Sequence, residues 1–301
     1  MNGKPGVPGI RLGLLLFVLG MLAGLAGRES DDILAHPKAS PDPPLLEAAG
    51  SDEPLSALNR NLADLNWMEI DGLVAGEVDV VFLPVGSMEA HGVINNGADT
   101  GIATGLATRV AERLGGLVAP AIPYGVRSAY GLFPGSIQIG EEAFSAYVSE
   151  VLFALADEGF ENIVVLNGQP SNRQSLDRLT LELTSRMKVR TLVVDWWTCC
   201  ADVSQEFFSE HGGHAGADES ALVQALSHNL VREDLFREGM ARPLPAGTTA
   251  HPLPSAMTVT GSASGRPPLD GARSRLYLDA VVDRITTVVL SVLRSWDDAG
   301  V

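Results

Sequence analysis

The sequence predicts an α/β fold with a mainly parallel sheet that helices cover on both faces. Short apolar runs, such as VDVVFLPVG (residues 78–86) and NIVVL (162–166), alternate along the chain with longer amphipathic stretches. These runs lack the polar and apolar alternation of a strand with one face in water, so both faces of the sheet are expected to be covered. With 301 residues, 46% of them hydrophobic, the chain is long enough for one large domain.

Each predicted element rests on a run or a period in the chain. The first helix is expected from about Thr100, where apolar residues recur every four positions and form one face: Ile102, Leu106, Val110 and Leu114. The same reasoning applied along the chain gives strands at 78–86, 117–122, 162–168 and 190–197, helices around 100–114, 144–155, 176–183, 219–230 and 274–296, and a Pro/Gly/Ser-rich loop at 243–271.

The amino terminus has the pattern of an export signal. Lys4 and Arg11 precede an apolar run whose core of about 15 residues is shorter than the ~20 needed to cross a bilayer. We predict a signal peptide or membrane anchor at 1–27, an acidic Pro-rich linker at 28–56 and one domain at 57–301. The protein is then exported to the periplasm or the extracellular space, and an uncleaved segment would tether it to the membrane.

Charge and cysteine content limit the function classes. The chain has 21 Lys and Arg residues against 37 Asp and Glu residues, a formal net charge of −16, and no basic stripe. Such a surface repels phosphate, so we exclude nucleic acid as a partner. The two cysteines are the neighbours Cys199 and Cys200, which cannot link distant segments and are interpreted as packing residues.

The turn after the first predicted strand carries residue types that bind metals. Glu89, His91 and Asp99 fall within 11 residues, and ligands gather beyond the carboxyl ends of strands in a parallel sheet. Carboxylate and imidazole donors together suit zinc or manganese. A purely structural alternative stays open: Asp99 could cap the next helix, Glu89 could be solvated, and His91 could donate to a backbone carbonyl.

Two later turns carry further candidates. Asn167 and Gly168 permit a tight turn after the third predicted strand, and Asn172 is expected to cap the next helix. In the stretch HGGHAGADES, Glu219 falls in the first helical turn, where a carboxylate also stabilises a helix amino terminus. His214 precedes it by five residues, and an imidazole titrates close enough to neutral pH for proton transfer.

Five segments carry motifs in a shared order. These are LPVGSMEAHG (83–92), similar to LPVGSxEQHG; GVRSAYGLFPGSI (125–137), similar to a segment ending in FPGT; LNGQPSN (166–172), similar to NGHGGN; GHAGADES (213–220), similar to HAGExETS; and GSASGRPPLDGARSRL (261–276), with a Gly/Pro pattern before the last helix. Together they resemble the creatininase family, the creatinine amidohydrolase-like metal hydrolases, from about residue 60 to residue 298.

This resemblance implies a three-layer α/β/α sandwich, a two-metal centre, hydrolysis of a cyclic or linear amide C–N bond, and a homo-oligomer, commonly a hexamer. Glu89, His91 and Asp99 match ligand positions, and Asp99 matches the carboxylate that bridges the metals. Glu219 matches the last glutamate of HAGExETS, a further ligand and catalytic candidate. His214 matches the histidine of the same motif, which suits proton transfer near the leaving nitrogen.

The chain departs from the family pattern at the centre itself. Gln169 replaces the histidine ligand of NGHGGN, and Ala217 replaces the first glutamate of HAGE. The loop that ends at Asp99 is one residue short and lacks a histidine, and SAYGLF lacks the Glu-His pair that precedes FPGT. The four remaining ligands could hold one metal well but two only poorly, and zinc catalysis needs only three protein ligands.

Two hypotheses follow for the function. The first is an exported amidohydrolase that acts on a small amide and uses one or two ions of zinc, manganese or iron. The second is a non-catalytic protein that keeps the fold as a binding or structural module. For the hydrolase we predict a substrate pocket lined by Gln169, Asn167, Trp197 and Arg127, in which a tryptophan stacks on a planar amide and the Arg127 cation binds an acidic substrate.

Overall fold

The computed structural model describes residues 60–76, 78–209, 212–245, 247–260 and 270–301. The predicted signal or anchor and the predicted linker lie outside these residues. No helix within the described ranges is both long enough and apolar enough to span a bilayer.

Helices and short strands alternate along most of the chain, as the apolar runs predict. In chain order they are α1 (Trp67–Gly76), β1 (Val80–Val85), α2 (Ala98–Leu114), β2 (Leu117–Val118), α3 (Glu141–Asp157), β3 (Asn162–Asn167), α4 (Arg173–Arg186), β4 (Arg190–Asp195), α5 (Trp196–Cys199), α6 (Ala201–Phe208), α7 (Ala217–Ser227), β5 (Arg242–Leu244), β6 (Thr258–Thr260) and α8 (Gly271–Ala299).

The main sheet is parallel, with the strand order β2-β1-β3-β4. Its central strands are in register: Val85 lies beside Asn167, and Asn167 lies beside Asp195. Because parallel strands all point one way, their carboxyl ends lie together at one end of the sheet, called here its carboxyl edge. The turns that carry the candidate residues therefore open from neighbouring points on that edge.

Two apolar layers enclose the sheet, so the predicted three-layer α/β/α sandwich is confirmed. Phe82 and Val164 point to one face, where they pack with α2, α7 and α8. Leu83 and Val165 point to the other face, where they pack with α3 and α4. Every residue of β1 and β3 is buried, which is why neither strand shows an alternating pattern.

Two predicted strands are shorter in the structure. The run at 117–122 pairs only through Leu117 and Val118, because Pro120 has no N–H to donate; Ile122 rejoins the sheet by donating its N–H to Pro84 O. The run at 190–197 ends at Asp195, and its two tryptophans begin α5 instead.

Several helix bounds also differ from the prediction. α7 begins at Ala217 and ends at Ser227, and a 3₁₀ turn follows at His228–Leu230. The predicted loop at 243–271 contains β6, which pairs in parallel with β5. The sequence analysis missed α1 because none of its residues is buried, so it has no sustained apolar stripe.

One pair of leucines on α4 isolates the stabilising effect of burial. Leu176 is fully buried and Leu181 is 70% exposed. We expect Leu176→Ala to lower the free energy of unfolding by about 2–5 kcal/mol, because it removes apolar contacts and leaves a cavity. Leu181→Ala, the same change on the solvent face, should shift it by no more than about 0.5 kcal/mol. Urea unfolding followed by circular dichroism measures both, and equal effects would contradict the predicted burial of this face.

Candidate active site

A cavity of about 380 Å³ opens at the carboxyl edge of the sheet. The turn after β1 contributes Glu89 and His91, and the first turn of α2 contributes Asp99. The turn after β3 contributes Gln169, the loop before α7 contributes His214, and the first turn of α7 contributes Glu219. Residues predicted from three separate turns of the chain therefore meet in one cavity.

His91 is fixed by its backbone and presents one nitrogen to two carboxylates. Its Nδ1 lies 3.0 Å from the carbonyl oxygen of Glu89, which can only accept, so Nδ1 carries the proton and donates. Nε2 lies 2.9 Å from Asp99 Oδ1 and 3.7 Å from Glu219 Oε2. Among the described residues Nε2 has no hydrogen-bond partner in acceptable alignment, so in the neutral ring its lone pair faces two acceptors.

His214 lies beside His91, with the two ring centroids 4.3 Å apart, and repeats this arrangement. Its Nε2 donates to the carbonyl oxygen of Ala90 at 2.8 Å, and its Nδ1 lies 3.3 Å from Glu89 Oε1. The ring of Tyr130 stacks on the imidazole at 3.4 Å between centroids and holds its plane. Burial raises the pKa of the Tyr130 phenol, which stays protonated and donates to the carbonyl oxygen of Thr258 at 2.8 Å.

Neutral donors hold the second oxygen of Glu89. Glu89 Oε2 accepts from Ser128 Oγ at 2.5 Å and from Gln138 Nε2 at 2.6 Å. Gln138 also accepts from the backbone N–H of Ser128 at 2.9 Å, which ties the two donors together. The sequence analysis missed this pair, because a serine and a glutamine in the loop that replaces the Glu-His pair carry no charge pattern.

Gln169 contacts the centre as a hydrogen-bond donor. Its Nε2 donates to Asp99 Oδ2 at 3.2 Å, on the side of the carboxylate opposite to His91. Its side-chain oxygen accepts from the N–H of Ser171 at 3.4 Å. The amide therefore engages the Asp99 oxygen that does not face His91.

Electrostatics at the centre depend on a single positive group. Burial alone would lower the pKa of His91, but the attraction of Asp99 and Glu219 outweighs it and raises that pKa to about 10. Burial raises the pKa of Asp99 to about 6, although His91 opposes the rise. Burial, with Asp218 and Asp99 nearby, also raises the pKa of Glu219 above its usual range. A proton on His91 thus supplies positive charge that stabilises the ionised forms of Asp99 and Glu219.

The donor set fits a divalent cation. Two groups bring their ligand atoms within 4.8 Å of one another: Glu89, His91 and His214, and His91, Asp99 and Glu219. Nδ1 of His91 already donates to a carbonyl, so only its Nε2 can bind a cation. A cation bound there would have as its other ligands either Glu89 and His214 or Asp99 and Glu219. Backbone carbonyls that fix the second ring nitrogen are typical of metal-binding histidines.

Two predicted pocket residues lie outside the cavity. Arg127 is exposed and does not line it, so it is not placed to bind an acidic substrate there. Asn167 is fully buried beneath it, where its side chain donates to Asp195 Oδ1 at 2.8 Å and accepts from the N–H of Gln169 at 3.1 Å. Gln169 and Trp197 do line the cavity.

Asn172 takes the N-cap position of α4, as predicted, but its side chain connects the turns instead of capping the helix. Its side chain makes no capping hydrogen bond to α4. Its Nδ2 donates to the carbonyl oxygen of Gly86 at 3.0 Å, and its Oδ1 accepts from the N–H of Val126 at 2.8 Å. One buried amide therefore joins the turns after β1 and β3 to the loop that carries Ser128.

Two glycines allow close approach at the site. A Cβ on Gly168 would lie 2.2 Å from the carbonyl oxygen of Asp99, so only glycine lets β3 approach α2 this closely. Gly212 has a φ of +83°, and a Cβ there would lie 2.0 Å from Asp218 Oδ2. Asp218 is fully buried, lines the cavity and accepts from the N–H of Gly213 at 3.2 Å. The sequence analysis missed this carboxylate.

The fold and the donor cluster define an α/β/α protein with a candidate metal centre at the carboxyl edge of its sheet. A family model for creatininase, described as creatinine amidohydrolase, matches residues 63–289. The chain belongs to the creatininase family, as its motifs predict.

Known relatives agree with this assignment. The chain is 26% identical over 247 residues to a creatinine amidohydrolase of Pseudomonas putida, covering 76% of this chain and 95% of that protein. It is 28% identical over 174 residues to a mycofactocin precursor peptide peptidase of Mycobacterium ulcerans (strain Agy99), covering 54% of this chain and 65% of that protein. Both relatives are hydrolases by name, and hydrolytic activity is the expected property of a family member.

Solved structures agree in fold. A manganese form of creatininase superposes with a TM-score of 0.67 at 26% identity, covering 77% of this chain and 98% of that one. A variant creatininase in a Zn-Zn form superposes with a TM-score of 0.66 at 25% identity, with the same coverage.

The Asn172 connection gives a testable stability effect. We expect Asn172→Ala to lower the free energy of unfolding by about 2–4 kcal/mol, because the buried N–H of Val126 and carbonyl of Gly86 both lose their partner. Asn229→Ala, in the exposed turn after α7, is the matched control and should change it by no more than about 0.5 kcal/mol. Denaturant titration measures both variants. A neutral Asn172→Ala would show that the turns hold together without this amide.

Proposed function

We propose that this protein is an exported, metal-dependent amidohydrolase that hydrolyses a C–N bond of a small cyclic or linear amide at a mononuclear centre. The convergence of His91, Asp99 and Glu219 in a cavity at the sheet edge carries the proposal. These three side chains supply the nitrogen and oxygen donors that zinc, manganese or iron accepts. A divalent cation held there supplies Lewis-acid activation of an amide carbonyl and of a water molecule.

Gln169 is the reason to expect one ion. The family pattern has a histidine at this position, whereas the Gln169 amide donates a hydrogen bond to Asp99 Oδ2. The donated N–H uses one lone pair of this oxygen and so competes with a second cation for the carboxylate. The Glu89 oxygens are also engaged elsewhere: Ser128 and Gln138 hold one, and the other lies 3.3 Å from Nδ1 of His214.

His214 is the group that we propose for proton transfer. With Nε2 donating to Ala90, Nδ1 is the nitrogen that would take a proton from the attacking water and release it to the leaving amine. Glu89, 3.3 Å from Nδ1, stabilises the protonated ring, and Tyr130 keeps the ring facing the cavity. Glu219 serves both as a ligand and, through its 2.6 Å hydrogen bond from the N–H of Ala215, as an anchor for the His214 loop.

Export and assembly complete the proposal. The positively charged and apolar segment at 1–27 supports export to the periplasm or the extracellular space, with membrane tethering if it is not cleaved. Family resemblance supports a homo-oligomer, with a hexamer as the first size to test by light scattering.

Metal content tests the centre directly. Plasma mass spectrometry on the purified protein, after growth with added zinc, manganese and iron, should find about one ion per chain, since three protein ligands suffice for zinc. Asp99→Asn should abolish binding, Gln169→His should raise the content toward two ions, and Asp177→Asn, on the surface of α4, should leave it unchanged. A metal-free wild-type protein would instead favour the non-catalytic module.

A histidine variant separates proton transfer from metal binding. We expect His214→Ala to keep its metal while kcat on an amide identified by screening falls by about 10²–10⁴, the usual contribution of general acid–base catalysis. His228→Ala, an exposed histidine, is the control and should keep both. Loss of the metal in His214→Ala would instead make His214 a ligand together with Glu89 and His91.

A further inference from the structure

The two cysteines of the chain are neighbours that differ in exposure. Cys199 is the last residue of α5 and is half-buried, whereas Cys200 is fully buried and packs in the apolar layer that contains α8. Both thiols are free, and neither belongs to the groups of potential metal ligands. A small reagent in solution can therefore reach Cys199 but not Cys200.

Two neighbours favour the thiolate form of Cys199. The Cys200 thiol donates a hydrogen bond that lowers the pKa of Cys199, and the Arg284 guanidinium on α8 lowers it further, against burial and the Asp202 carboxylate. Arg284 also pairs with Asp202 at 2.7 Å. Because the thiolate is the form of cysteine that attacks disulfides, Cys199 is the reactive member of the pair.

Cys200 is placed to react second. Hydrogen bonding to Cys199 and burial raise the pKa of the Cys200 thiol, which stays protonated while Cys199 is a free thiolate. Once the Cys199 sulfur is bonded to another sulfur, its charge no longer holds the proton on Cys200. The chain has two cysteines in all, so no third thiol of the same chain competes for the Cys199 sulfur.

We propose that Cys199 and Cys200 form a thiol–disulfide exchange site for small disulfides. The Cys199 thiolate attacks a disulfide RSSR, the S–S bond breaks, and one RS⁻ leaves and takes up the proton that Cys199 released. The Cys200 sulfur then attacks the Cys199 sulfur, the second RS⁻ leaves with the Cys200 proton, and a bond between the two cysteines forms. The two cysteines are thereby oxidised, and RSSR is reduced to two RSH.

The resulting bond is expected to be labile. Consecutive Cα atoms lie about 3.8 Å apart, whereas disulfides usually join residues whose Cα atoms are about 4.4–6.8 Å apart. A bond between neighbouring cysteines is therefore strained and more easily reduced than an ordinary structural disulfide. The proposed export would place the pair in a compartment where disulfides persist.

Oxidation with hydroxyethyl disulfide tests the exchange. Intact-mass spectrometry of the purified full-length protein should show that each chain loses the mass of two hydrogen atoms and remains a single chain. Both thiols should become unreactive to iodoacetamide after denaturation, and dithiothreitol should restore them. An unchanged mass, a persistent adduct of one mercaptoethanol unit, or a disulfide that joins two chains would overturn the proposal.

Two cysteine variants test the order of attack. Cys200→Ser should accumulate the mercaptoethanol adduct on Cys199, because the second step is blocked, and Cys200→Ala serves the same purpose if Cys200→Ser does not fold. Folded Cys199→Ser should stay unmodified, because Cys200 is fully buried. An adduct on Cys199→Ser, or none on the Cys200 variants, would overturn the assigned roles.

An arginine variant tests the effect of charge on the first step. In the Cys200→Ser background, Arg284→Gln should slow adduct formation about two- to fivefold, because the cation that favours the thiolate is lost. Arg294→Gln, the same change at an exposed position of α8, is the matched control and should leave the rate unchanged. Equal rates in the two variants would overturn the role of Arg284. Since neither cysteine is a candidate ligand, failure of the proposed metal centre would leave all these results unaffected.

Discussion

Repulsion among buried carboxylates is the constraint on which the centre depends. Asp99 and Glu219 converge on one nitrogen of His91; His91 and Asp99 are buried and Glu219 is mostly so, which limits screening by water. Carboxylates this close raise one another's pKa unless a positive charge lies between them. That positive charge is either a proton on His91 or a cation bound in place of the proton. The pKa of His91 is raised for the same reason, because the neighbouring carboxylates favour its protonated form.

The fold supplies the rigidity that this arrangement needs. Val85, Asn167 and Asp195 end three adjacent strands in register, so the turns that follow begin from fixed positions. Asn172 then links two of those turns through backbone groups, and backbone carbonyls set the ring orientation of both histidines. The backbone segments that carry these mutually repelling groups are thus held in place by contacts that do not involve the carboxylates.

The sequence predicts the sandwich well because buried faces require apolar residues at regular positions in the chain. Runs such as VVFLPV and the four-residue period from Ile102 to Val110 record which surfaces are covered. The same approach places Glu89, His91, Asp99, His214 and Glu219 at one edge of the sheet. It fails for Asp218, Ser128 and Gln138, whose roles depend on tertiary contacts between segments far apart in the chain, and for Asn167, whose side chain points beneath the cavity.

The close approach at Gly168 has a consequence for how variants of this protein are judged. Any side chain at that position would collide with the backbone of Asp99 and displace the carboxylate from His91, although residue 168 is itself no ligand. Substitution of Gly168 would therefore impair the centre, although this residue has no side chain that binds or reacts. A homologue that retains every donor but lacks this glycine is therefore expected to hold its carboxylate in an altered position.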